Sequence, residues 1–267
     1  MGHDTNKKRD KKAEHIPGIY NYCDRWCERC PFTSRCLNFE MSEEKFGDLQ
    51  SLDDSNEIFW KKLSGTLQET LTMLQEMAEE KGIDLDALDI EEGDDFLEPT
   101  DDRSIVHIIA HIAQTYIDLV SDWFEVNIDP YIHWKDEPVS NLDFDSDQTP
   151  NQDDVVKFTD SVEVIRWYQH QIYVKLRRAI HSTQYEELEI LEDFPKDSDG
   201  SAKVALIGMD RSISAWGKIL KYFPKQEDTI LNIIAHLERL RKRTENEYPE
   251  ARVFVRPGFD EISPNKD

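Results

Sequence analysis

The sequence predicts an all-α protein, an antiparallel bundle of about five long helices behind a small cysteine-ligated metal module. Three observations carry this. Beyond Cys36 the apolar residues recur at steps of three and four, the repeat of a single helical face. Only Arg252-Val-Phe-Val-Arg256 reads as β-like, which fits an extended tail and not a sheet. All four cysteines, Cys23, Cys27, Cys30 and Cys36, fall within fourteen residues in the spacing C-x3-C-x2-C-x5-C.

The first helix runs from Ile58 to Met77, with Phe59, Leu63, Leu67, Thr70 or Leu71, Leu74 and Met77 on one stripe and Asp54 and Ser55 as caps. A second, over 103–126, places Ile105, Ile109, Ile112, Tyr116, Leu119 and Trp123 together. The third, over 152–181, aligns Val155, Phe158, Val162, Ile165, Gln169, Ile172, Leu176 and Ala179. In the fourth, Ala202, Leu206, Met209, Ile213, Trp216, Leu220 and Phe223 alternate steps of four and three, the seam of a buried helix. The fifth, about 227–247, turns Ile230, Ile233 or Ile234, Leu237 and Leu240 inward. The resulting organisation is a disordered basic tail (1–15), a cysteine module (16–40), an acidic helical bundle (41–250) and an extended C-terminal tail (251–267).

Two connectors are strongly acidic. Residues 84–102 hold ten acids and no base, and 136–154 hold seven acids with Pro138 and Pro150 as helix breakers. Within the latter, Asp143, Asp145 and Asp147 alternate as in a calcium loop, but the required glycine and closing glutamate are missing, which excludes an EF-hand. Both read as solvated linkers. Two helices share the run Ile-Ile-Ala-His, ending at His111 and His236, a similarity that two amphipathic helices reach without duplication.

Thiolates at this density are ligands for a soft metal. The competing disulfide framework belongs to small secreted chains, whereas this chain has 267 residues and opens on a charged stretch with no apolar leader. Cytoplasmic, reduced and metal-bound is the expectation. Zinc favours two separated ligand pairs, and here the ligands are compressed and uneven, with Pro31 directly after Cys30. A 4Fe–4S cluster on Cys23, Cys27, Cys30 and Cys36 is therefore favoured, with zinc as the alternative. Arg25, Arg29 and Arg35 interleave with the ligands and either offset the cluster's negative charge or pair with Asp24 and Glu28. Tyr20, Tyr22, Trp26 and Phe32 supply an apolar shell.

The segment Cys27-Glu-Arg-Cys30-Pro-Phe-Thr-Ser-Arg-Cys36 resembles the cysteine trio that closes the iron–sulfur staple of AddB-type helicase–nuclease subunits and CRISPR-associated nucleases. The resemblance implies a cluster and is confined to this stretch. The nuclease's Q-x3-Y pattern occurs only as Gln169 and Tyr173, inside a strongly helical segment, so no nuclease activity is implied. From Ile16 to Cys36 the chain is also similar to the opening of a bacterial protein family.

Net charge is −24, from 56 acidic and 32 basic residues. Such a body repels a phosphate backbone, leaving only the basic run Lys7, Lys8, Arg9, Lys11 and Lys12 for nucleic acid, and a solubilising tail explains that run as well. A docking protein partner is expected instead. No stretch is long and apolar enough for a membrane span, and the oligomeric state is open. Nucleophile elbows, phosphate-binding glycine loops and dinucleotide fingerprints are absent, so the sequence leaves catalysis undecided.

A second metal site is a further candidate. His107 and His111 share a helical face with Asp118 and Asp122, Glu163 and His170 share another, and His236 lies on the last helix. The histidines fall off the apolar stripes, and E-x2-H, on which di-iron bundles rely, does not occur. Three functions follow: a cluster protein for electron transfer or redox sensing, a zinc- or cluster-stapled interaction module, and a histidine-ligated metalloenzyme bundle.

Overall fold

The computed structural model describes residues 14–47, 57–82, 103–127, 152–186 and 196–260. The basic run, residues 84–102 and 136–151 of the acidic connectors, the Asp143–Asp147 motif and the caps Asp54 and Ser55 lie outside the described residues. The chain forms two compact units, one of residues 1–20 and 27–98, the other of residues 21–26 and 99–267.

The larger unit is a helical bundle, and no strand occurs among the described residues. Its helices are α3 (Arg103–Asn127), α4 (Gln152–Glu186), α5 (Asp197–Ile219) and α6 (Glu227–Glu247); α1 and α2 belong to the other unit. Acidic residues open three of them, Asp153 and Asp154 in α4, Asp197 and Asp199 in α5, Glu227 and Asp228 in α6, where the helix dipole favours negative charge. Helix α4 packs most extensively on α5, α3 packs on α4 and α6, and α6 closes the ring against α5.

The α4–α5 contact is close because α5 presents Gly208, where an added Cβ would lie 2.8 Å from the Tyr168 ring and 3.1 Å from Ile172. The core between the helices holds Ile109, Tyr116, Phe158, Ile165, Leu206 and Trp216, all at 0 % exposure. Trp123 meets Trp216 and Phe223 edge-on, with ring centroids 5.0 and 5.1 Å apart. Burial pushes the Tyr116 phenol up to about 12, with the Trp216 indole donating to its oxygen. Gln169 also points inward, its amide donating to the Ile117 carbonyl (3.0 Å) and the Ser121 hydroxyl (2.8 Å), so it ties α4 to α3.

The chain past α6 is folded into turns up to Asp260, with Ala251 and Phe254 buried, rather than extended. Arg252 bridges Asp210 on α5 (2.6 Å) and Glu245 on α6 (2.7 Å). Lys203 reaches Asp260 at 2.9 Å and donates to the Phe254 carbonyl. These ion pairs hold the β-like run Arg252–Arg256 against α5 and α6, satisfying charges that a free tail would leave in water.

The smaller unit contains two 3-10 turns, Cys27–Arg29 and Thr33–Arg35, followed by α1 (Leu37–Phe46) and α2 (Glu57–Glu80). Lys45 of α1 pairs with Glu69 of α2 at 2.8 Å. Helix α2 covers the predicted span, but its stripe does not form a core. Ala78 is its one buried residue, while Leu67, Leu71 and Leu74 are 57 %, 53 % and 54 % exposed.

Candidate metal centre

Cys27, Cys30 and Cys36 lie in the smaller unit on a backbone shaped by its own hydrogen bonds. The Cys30 amide donates to the Cys27 carbonyl (3.1 Å), closing the first 3-10 turn, and the Cys36 amide donates to Thr33 (3.2 Å), closing the second. Pro31 lies between the turns, and the next amide, of Phe32, donates to Cys30 Sγ at 3.4 Å. Such N–H···S bonds stabilise negative charge on a ligating sulfur. Cys36 is the N-cap of α1, its carbonyl accepting from Glu40. The loop is tied back where Ile16 donates to the Arg35 carbonyl (3.0 Å) and Arg35 Nε to the Glu14 carbonyl (3.1 Å).

Cys23 lies in the larger unit, on the hexapeptide Asn21–Trp26. Asp24 anchors that hexapeptide to α4 and α5. Its carboxylate accepts from the Tyr168 hydroxyl (2.5 Å), from Arg211 (2.8 Å) and from the Trp26 amide (3.2 Å). Arg211 also donates to the Tyr168 oxygen. The Asp24 carbonyl accepts from the Trp167 indole (3.0 Å) and Gln171 (3.3 Å). The bond from Asp24 to the amide two residues on is an Asx turn, and it holds Arg25 at φ 60, a left-handed conformation that costs about 1–2 kcal/mol in a residue with a Cβ.

Aromatic packing and arginine complete the anchorage. Trp26 stacks on Trp167 at 5.0 Å with 14° between the planes, and Tyr22 meets Phe254 edge-on at 4.7 Å. An added Cβ at Gly200 would run into the Tyr22 ring, so the glycine makes room for it. Arg178 donates to the Asn21 carbonyl (3.1 Å) and forms a two-pronged pair with Asp197.

Charge is concentrated around Cys23. Lys175 is only 6 % exposed, and burial lowers its proton affinity, opposed by negative charge on Cys23 and Asp24 and reinforced by Arg178 and Arg25. The Tyr168 phenol is held well above its ordinary range by burial and by Asp24, with Arg211 pulling the other way.

All four cysteines are half-buried thiols with no disulfide among them. Within the smaller unit, Cys27, Cys30 and Cys36 carry thiols of the kind that suits a soft metal, and the Phe32 amide is aimed at one of their sulfurs. Among the described residues, no three His, Cys, Asp or Glu side chains are grouped as they would be around a bound ion.

The histidines are distributed separately. His107 lies on α3, its side chain outside the described set; His111 on α3 and His170 on α4 are exposed. His236 Nε2 is bonded to the Ile112 carbonyl at 2.8 Å, which ties α6 to α3. Asp118 accepts from Gln114.

Sequence reasoning missed the Asp24 anchorage. Asp24 pairs with Arg211 and not with the neighbouring arginines, and its partners on α4 and α5 are 143 to 187 residues away. The local signal was the Asp-x-Trp turn itself. Comparison of the chain with protein-family models, with curated proteins and with solved structures finds no match. No helix among the described residues is long and apolar enough to cross a membrane.

Proposed function

We propose that this chain is a metal-binding protein that holds a 4Fe–4S cluster on Cys23, Cys27, Cys30 and Cys36 and serves electron transfer or redox sensing with a protein partner. The observation that carries the reading is four thiols within fourteen residues of sequence, with an amide directed at Cys30 Sγ. A cluster supplies one-electron chemistry whose potential is set by hydrogen bonds to sulfur, net charge and exposure. The chain's own contributions are the Phe32 amide and the positive charge of Lys175, Arg178 and Arg25 around Cys23. The staple-like sequence from Cys27 to Cys36 agrees with this choice of group.

Anaerobic purification with analysis of iron, sulfide and zinc tests the proposal. A brown protein with about four irons per chain is expected. It loses them in Cys30→Ser while the far-ultraviolet circular dichroism of the bundle stays unchanged. A colourless protein with one zinc per chain would replace redox function with a structural staple, and a protein without metal under these conditions would sink both.

A further inference from the structure

Helix α2 combines an exposed apolar stripe with a charge pattern that an isolated helix does not favour. Trp60, Leu67, Leu71 and Leu74 follow one another at steps of seven, four and three, the spacing of a coiled-coil seam, and each is more than half exposed. A helix dipole favours acids at its N-terminus and bases at its C-terminus. Here the second turn holds Lys61 and Lys62, and the last turns hold Glu76, Glu79 and Glu80. The helix thus carries most of its charge against its own dipole.

An antiparallel neighbour of the same sequence removes that conflict. It sets the basic turn of one helix level with the acidic turns of the other and opposes the two dipoles, whereas a parallel copy would oppose like charges along the whole length. Lys61 and Glu79 are eighteen residues apart, about five turns, so they lie on the same flank of the stripe. With Leu67 of one copy facing Leu71 of the other, the seam is symmetric about the helix centre, and Ser64 comes opposite Leu74. We infer that α2 is a self-association surface, pairing antiparallel with α2 of a second copy of this chain through Leu67, Leu71 and Leu74 and through Lys61 against Glu79.

The test is molar mass by light scattering on the full chain over a concentration series, with Lys61→Glu, Glu79→Lys and the double exchange. Twice 31.3 kDa is expected for the native sequence. Each single exchange weakens the dimer by about tenfold, since the two-fold axis spoils two surface pairs at once. The double exchange restores it. Both single changes improve the match to the dipole, so helix content measured by circular dichroism does not fall, which separates lost association from lost folding. A mass of 31.3 kDa at every concentration would overturn the inference. So would a dimer indifferent to the single exchanges, or singles that weaken it without rescue by the double.

Discussion

The Asp24 carboxylate accepts the Tyr168 hydroxyl at 2.5 Å across 144 residues of sequence. This bond, with Arg211 on the same oxygen, fixes a segment that has no secondary structure of its own to hold it. The hexapeptide's position therefore depends on side-chain chemistry, and its loss is separable from loss of the bundle.

Asp24→Ala leaves the Tyr168 hydroxyl without its acceptor, takes the carboxylate from Arg211 and removes the turn that holds Arg25. It is expected to cost about 2 kcal/mol in chemical denaturation, the scale of stranding polar groups in a half-buried site. Hydrogen exchange in residues 21–26 should rise more than exchange in α5. Equal loosening of both would show that the hexapeptide and the bundle are one cooperative element.

Gly208→Ala puts a methyl against Tyr168 and Ile172 in the α4–α5 contact. Overpacking there is expected to destabilise the protein by roughly 1–3 kcal/mol, read as a lower urea midpoint at unchanged slope. A neutral result would mean that the two helices separate without strain.

Trp216→Ala empties the centre of the aromatic cluster, where Trp216 is fully buried against Trp123. The expected loss is about 3–5 kcal/mol by denaturant titration. Binding of the hydrophobic dye ANS would report a core that has loosened instead of collapsing.

Asp260 carries a pH dependence of known sign. Burial pushes its carboxyl up, but bonds from Arg256 and Lys203 hold it well below its ordinary 3.8. A depressed carboxylate contributes stability that is complete above the unfolded value and fades as pH falls through the folded one. The gap in urea midpoint between the native sequence and Asp260→Asn, present at neutral pH, should begin to narrow below pH 3.8 and go on narrowing with further acidification. A gap that widens on acidification would reverse the assignment.

Where periodicity and burial coincide, the sequence was a sufficient guide. Every residue aligned over α4 from Phe158 to Ala179 is buried, because that face packs between neighbouring helices, and its one polar member, Gln169, has its amide bonded to Ile117 and Ser121. On α3 the stripe is rotated slightly. Ala113 and Val120 are buried while Ile112 and Leu119 lie at the edge, since small residues fit the crossing and bulky ones border it. On α2 the same signal marked a helix but not a buried one, as periodicity records an apolar face without recording what covers it. The spacing of the cysteines is plain in the sequence, but the anchorage of the hexapeptide that carries Cys23 is not, because Tyr168 and Arg211 meet Asp24 only through folding.

The passage of the chain through the larger unit has a practical consequence for anyone dissecting the protein. Residues 21–26 belong to that unit although smaller-unit sequence precedes and follows them, so the boundary cannot be cut at one point. A fragment starting at α3 would expose the face of Trp167, strip the shared Asp24 acceptor from Arg211 and Tyr168, and open the notch at Gly200. Asn21–Trp26, supplied as a separate peptide, is the natural plug for that surface.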